Sequence, residues 1–98
     1  MTNVTIGNSV SSIGEDAFYG CKNLTNITIP DSVTSIGARA FGGCKSLTSV
    51  TIGKNVNSIG EGAFRDCPNL TNIEVSVDNP KYKSIDGKLY TKDGKLVF

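Results

Sequence analysis

The sequence predicts a repeat solenoid, mainly β, built from stacked coils of 23 residues. Three observations carry that reading. The first is phase: Leu24, Leu47 and Leu70 recur at one spacing, as do Val10, Val33 and Val56, Ile13, Ile36 and Ile59, and Phe18, Phe41 and Phe64. The second is composition, because the recurring positions are apolar, or glycine (Gly14, Gly37, Gly60) or cysteine (Cys21, Cys44, Cys67). The third is extent, since the same repeat positions agree in phase across three successive coils. A fixed period of roughly 20–29 residues with apolar anchors marks a coil that buries its inner face only by stacking on its neighbours.

The coil from Leu24 to Ser46 shows each element in order. Asn26 to Ile29 alternates polar and apolar residues and is β-branched at Ile27, Thr28 and Ile29, which predicts a half-buried strand with Ile27 and Ile29 inward. Pro30-Asp31-Ser32 is turn chemistry, matched by Gly7-Asn8-Ser9 and Gly53-Lys54-Asn55 in the adjacent coils. Val33 to Ile36 forms a second extended piece, and Gly37 ends it at a position suited to a positive φ or a close backbone approach. Ala40, Phe41 and Cys44 then follow at spacings that fit a short helical or 3₁₀ turn on the far side of the coil. About eight residues per coil point inward, including a continuous phenylalanine ladder.

After the last strand the grammar changes. Asp86-Gly87 and Asp93-Gly94 are two-residue hairpin signals separating Tyr82–Ile85, Lys88–Thr91 and Lys95–Phe98. Residues 1–77 are expected to form the solenoid and residues 78–98 a β-meander that caps its C-terminal end, as the open end of a solenoid requires.

Composition narrows the function classes. With 98 residues and a net charge of +1, the chain is one small domain without the field that attracts nucleic acid or an anionic membrane. Five of its ten basic residues (Lys81, Lys83, Lys88, Lys92, Lys95) crowd the tail, where a solvated surface is expected. No apolar run approaches the ~20 residues that would span a bilayer, so no membrane insertion is expected. Met1-Thr2 runs directly into repeat residues without a signal segment, as in a mature or excised piece or a short intracellular protein.

Catalysis is not expected. Histidine is absent, which removes serine and cysteine triads and the usual zinc sites. The glycines punctuate the repeat and form no phosphate-binding loop. Glu15, Asp16 and Glu61 fall at the corner after the repeat glycine, where solvated carboxylates are the expected reading. Asp78-Asn79, Asp86 and Asp93 lack calcium-loop spacing. The three cysteines cannot close a disulfide framework and share the phase of buried Ala and Phe, so they are expected as reduced, slowly reacting core thiols. No cofactor or metal is called for. Asn3, Asn23, Asn26 and Asn69 form N-x-T sequons that follow from the repeat itself.

The outward strand face is the candidate binding face. Its rows are Asn3, Asn26, Ser49, Asn72 and Thr5, Thr28, Thr51, Glu74. It is flat, polar and uncharged but for Glu74, and it lacks the Trp, Tyr and Arg anchors of tight interfaces.

The pattern L-x-x-I-x-I, then V-x-x-I-G-x-x-A-F-x-x-C, resembles the BspA-like leucine-rich repeat family over residues 3 to about 75. Asn79-Pro80-Lys81-Tyr82-Lys83-Ser84-Ile85-Asp86-Gly87-Lys88-Leu89-Tyr90 is similar to the segment into which that family's repeats often run. The resemblance implies a right-handed leucine-rich-repeat coil with a parallel concave sheet, and a non-catalytic protein-interaction role. It also implies part, or a small relative, of a surface or secreted adhesin that contacts another protein or an extracellular matrix component. Members are usually longer and exported.

Two other readings stand beside it: a stand-alone intracellular inhibitor or assembly protein, and a threonine array facing a repeating lattice such as a glycan or ice. The first coil lacks a cap, which predicts Ile13 and Phe18 exposed on its flat end and a homodimer formed through that coil.

Overall fold

The computed structural model describes residues 3–97, with side chains from residue 6 onward. Each coil contributes one strand to a four-stranded parallel sheet of β1 (Asn3–Thr5), β3 (Asn26–Thr28), β5 (Ser49–Ile52) and β7 (Asn72–Val75), in that spatial order. A second parallel sheet stacks β2 (Ser12–Ile13), β4 (Ser35–Ile36) and β6 (Ser58–Ile59). The register follows the period: Val4 pairs with Ile27, Ile27 with Val50 and Val50 with Ile73. Equivalent inward aliphatic residues therefore meet across each step, and a one-residue slip would turn a whole strand's inward set outward.

The core is a set of ladders along the stack. Leu24, Leu47, Ile27, Val50, Ile73, Val33 and Val56 are buried, and Phe18, Phe41 and Phe64 stack at centroid distances of 5.2 and 5.4 Å with rings 5° apart. Each fully buried aliphatic or aromatic side chain contributes about 1.5–3 kcal/mol by leaving water. Burial weakens toward the first coil, where Val10 is 36% exposed and Phe18 and Cys21 are only half-buried. Ile13, expected on the exposed end, is instead 5% exposed and belongs to the core. Its strand β2 pairs with β4, which packs Ile13 beside Ile36.

The far side of each coil is not helical, and no helix occurs among the described residues. The expected helical or 3₁₀ turn is replaced by linked β-turns whose amides alternate in direction. Ala17 N, Tyr19 N and Cys21 N donate three residues back, while Asp16 N, Phe18 N and Gly20 N donate across to Ala38, Ala40 and Gly42 of the next coil. Positive φ angles at Asp16, Arg39 and Gly62, and again at Gly20, Gly43 and Asp66, break any right-handed helical run. They lie two and six residues beyond the repeat glycine, which itself answers to close approach. A Cβ on Gly37 would collide with the backbone of Gly14 and Glu15, and one on Gly60 with Gly37 and Ala38.

The tail folds back as a hairpin of β8 (Tyr82–Ile85) and β9 (Lys88–Thr91). The third strand of the expected meander reduces to one bridge, Tyr90 to Leu96, and Phe98 lies outside the described residues. The hairpin turn occupies the outer edge of β7, where Ile73 N donates to Gly87 O at 2.8 Å. Leu89 and Tyr82 enter the core.

Asn79 joins tail to coil. It occupies the phase of Val10, Val33 and Val56, and Tyr82 that of Ile13, Ile36 and Ile59, so a fourth coil starts before the hairpin diverts it. The Asn79 side chain is 1% exposed. Its Nδ2 donates to Gly53 O at 2.9 Å and Val56 O at 3.0 Å. Its Oδ1 accepts from Lys81 N at 2.8 Å and Tyr82 N at 2.9 Å.

Candidate binding face

Parallel in-register pairing places the candidate residues in two straight rows. Asn3, Asn26, Ser49 and Asn72 are successive partners, as are Thr5, Thr28, Thr51 and Glu74. The side chains of Asn3 and Thr5 lie outside the described residues; Asn26, Thr28, Thr51, Asn72 and Glu74 are exposed and Ser49 is half-buried. Adjacent strands stand about 4.8 Å apart, which sets the pitch of each row. Within the rows, Asn72 Nδ2 donates to Glu74 Oε1 at 3.1 Å, which ties down the last coil.

Next to these rows a shallow groove of about 720 Å³ crosses the strand ends. Thr28 and Thr51 of the rows line it together with Asn8, Asp31, Ser32, Lys54, Asn55 and Ser76. The turns are cross-braced: Asp31 Oδ1 accepts from Lys54 N at 3.2 Å, and Asn55 Nδ2 donates to Asp31 O at 2.7 Å. Ser32 Oγ is buried without a hydrogen-bond partner. Pro30-Asp31-Ser32 reads as ordinary turn chemistry, so nothing in the order of residues signals this.

The opposite side of the stack holds the thiols. Cys44 Sγ donates to Phe18 O at 3.3 Å and Cys67 Sγ to Phe41 O at 3.0 Å, so each thiol ties its coil to the previous one. Burial pushes the Cys44 thiol up to about 11 and raises that of Cys67. Cys21, expected to be buried with them, is half-exposed because it belongs to the first coil. No cluster of three or more Cys, Asp or Glu placed to hold a metal occurs among the described residues. At the corner after the repeat glycine, Arg39 bridges to Asp16 at 3.1 Å and to Glu15 at 3.5 Å. The Asp16 hydrogen bond holds the Arg39 guanidinium even more firmly protonated than usual. Two of the three corner carboxylates are thus engaged in an exposed inter-coil ion cluster.

No described helix is long and apolar enough to cross a membrane.

Comparison with known proteins agrees with this geometry. The chain is similar to a leucine-rich cell surface protein from Faecalibacterium prausnitzii, with 38% identity and a TM-score of 0.87 over 99% of this chain and 26% of that one. It shares the fold of the pneumococcal vaccine antigen PcpA, with 22% identity and a TM-score of 0.56 over 94% of this chain and 35% of that one. The chain therefore spans about a quarter to a third of the length of these relatives. Among curated proteins no relative matches. The description of the BspA-type leucine-rich repeat region, in six copies, matches residues 1–95. With its repeat phase, its in-register coils and this match over nearly the whole length, the chain belongs to the BspA-type leucine-rich repeat family.

Proposed function

We propose that the chain is a non-catalytic protein-interaction module of a cell-surface protein, and that it contacts another protein or a matrix component through the outward rows of the four-stranded sheet. The observation that carries this reading is the pair of straight polar rows, presented on a sheet whose last edge is covered by the hairpin. With the β7 edge covered, the stack offers its face for docking without recruiting further strands at that end. The Faecalibacterium relative, described as a cell surface protein, supports the location.

The test is capture of extracellular matrix and host surface proteins on the immobilised chain, compared with a variant carrying Thr28→Lys and Thr51→Lys. Retention of one partner by the parent and its loss from the variant is the expected result. Equal retention by both would remove the sheet face from the interaction.

We further propose a second copy as partner for the first coil, where Val10, Phe18 and Cys21 show apolar surface that their equivalents bury. Light scattering should then find a dimer that Val10→Lys dissociates. A monomer at high micromolar concentration refutes it.

A further inference from the structure

We infer that a groove on the far side of the coils, away from the outward strand rows, is a docking site for an extended acidic segment of a partner protein. The groove has a volume of about 660 Å³ and crosses the three coils where each far-side turn returns toward its strand. Its rows follow the repeat. Gly20 and Gly43 share one phase and run into Asp66, while Lys22 and Lys45 share another and run into Pro68.

The glycines make the floor. Both have a positive φ, of 73° and 69°, but Asp66 holds 59° at the same phase, so this backbone does not by itself require glycine. What glycine adds is space. A Cβ on Gly20 would meet nothing within 4 Å, and one on Gly43 only ordinary contacts at 3.8 to 4.0 Å. The floor is braced from coil to coil, because Gly20 N donates to Gly42 O and Gly43 N to Arg65 O, each at 2.8 Å.

Tyr19 precedes the glycine and Lys22 follows it, so an aromatic wall and a cationic wall flank the floor. Tyr19 is the one exposed aromatic residue among those described, at 57%. Its ring lies over Gly42, where an added Cβ would come within 3.1 Å of two ring carbons, so the next coil supports it from beneath. Tyrosine is among the residues on which protein interfaces concentrate their energy, and the outward rows have none. Across the floor, Lys22 and Lys45 are exposed, rooted one coil step of ~4.8 Å apart, and neither pairs with a carboxylate among the described residues. Asp66 is the single carboxylate in the lining and sits at the third-coil end, which leaves the rest of the groove positive.

These two walls select the occupant. An extended peptide sends alternate side chains to opposite sides, so acidic residues reach the lysines while the apolar residues between them reach Tyr19. A uniformly charged polyanion would leave the tyrosine unused. The braced floor keeps the ordering cost of binding low.

The test is titration of the isotopically labelled full chain with the peptide acetyl-Glu-Leu-Glu-Leu-Glu-amide, followed by amide chemical shifts. The amides of Gly20, Lys22, Gly43 and Lys45 should move saturably, and the peptide with Gln in place of Glu should move them far less. Tyr19→Ala should bind roughly fivefold more weakly or worse, the loss expected of an interface anchor. Gly43→Asp puts at this phase the residue that the third coil already carries, so it should fold, and its carboxylate should abolish the shifts. Lys45→Glu, at an exposed side chain, should weaken binding as well. Thr28→Lys with Thr51→Lys should bind the peptide as the parent does, which separates this site from the sheet face. The site is overturned if the peptide moves none of these amides, if the glutamine peptide moves them equally, or if both Gly43→Asp and Lys45→Glu bind as the parent does. It is equally overturned if oligogalacturonate produces the stronger shifts, or if the threonine variant loses them.

Discussion

Replacing Asn79 with valine restores the residue that the repeat places at this phase in every earlier coil, and it should nonetheless destabilise the protein. Valine approximates the volume of the side chain, so little cavity is created. What it removes is four hydrogen bonds, to Gly53 O, Val56 O, Lys81 N and Tyr82 N, made by a side chain that is 1% exposed. At a net ~0.5–1.5 kcal/mol for each bond the loss is roughly 2–6 kcal/mol. For a domain of this size, 4 kcal/mol in the middle of that range lowers the melting temperature by roughly 15–30 °C.

Circular dichroism melting gives the global effect, and amide hydrogen exchange locates it. Protection of the Ile73 amide, which donates to Gly87 O in the hairpin turn, should fall before that of Val50 in the central coil. Asn79→Asp supplies a sign test. Its carboxyl would face two carbonyls in a buried site, so its folded pKa should lie above the ordinary ~3.9. Stability of that variant is then fullest below the unfolded value and is lost as pH rises through the folded one. A valine variant melting within about 2 °C of the parent would show that these bonds do not hold the cap, and the reasoning would be wrong.

The remaining expectations follow from the ladders. Phe41→Ala should cost about 3–5 kcal/mol, the range for a large core aromatic, because Phe41 lies between two stacked rings; an unchanged denaturation midpoint would contradict the ladder. Gly37→Ala should be severely destabilising through collision with the backbone of Gly14 and Glu15, whereas Gly14→Ala, with open space around it, should be mild, and equal melting curves for the two would refute the contact. Cys21 should react with a thiol reagent well before Cys44 and Cys67, and rapid labelling of all three would deny their burial. Because the folded Cys44 thiol is raised to about 11, its contribution to stability is complete below the unfolded value of about 8.5 and is lost as pH rises toward 11; Cys44→Ala should flatten that alkaline decline.

Much of the architecture could be read from the residues. Ile27, Val50 and Ile73 share a phase, and in a stack with one repeat per coil, equal phase means adjacency; the register of both parallel sheets follows. The phenylalanine stack follows for the same reason. The hairpin at Asp86-Gly87 could be read from its two turn residues, and Gly87 has the positive φ of 77° that they predict. The rows of the candidate face were legible as the outward half of the strand alternation.

The far-side turn was misread because Ala40, Phe41 and Cys44 bury themselves equally well in a helical turn or in linked β-turns. Spacing reports which side chains point inward, and it is silent about where the amides between them donate. That choice is settled by the neighbouring coil, which offers Phe18 N and Gly20 N the carbonyls of Ala40 and Gly42. Ile13 was misplaced for a related reason: its burial depends on pairing with β4 and not on the end of the stack alone.

The period, the inward rows, the register and the site of the closing hairpin can all be read from residue order, because these depend on local alternation and on like residues meeting across one coil step. It takes the assembled coils to show that Asn79 ties the tail to the last coil, that the thiols of Cys44 and Cys67 donate to carbonyls of the preceding coil, and that Ser32 Oγ is enclosed without a hydrogen-bond partner. Each of these turns on which backbone groups of another coil come within about 3 Å of one polar atom, and a hydrogen bond that directional is set by the assembled stack rather than by any residue's place in the repeat.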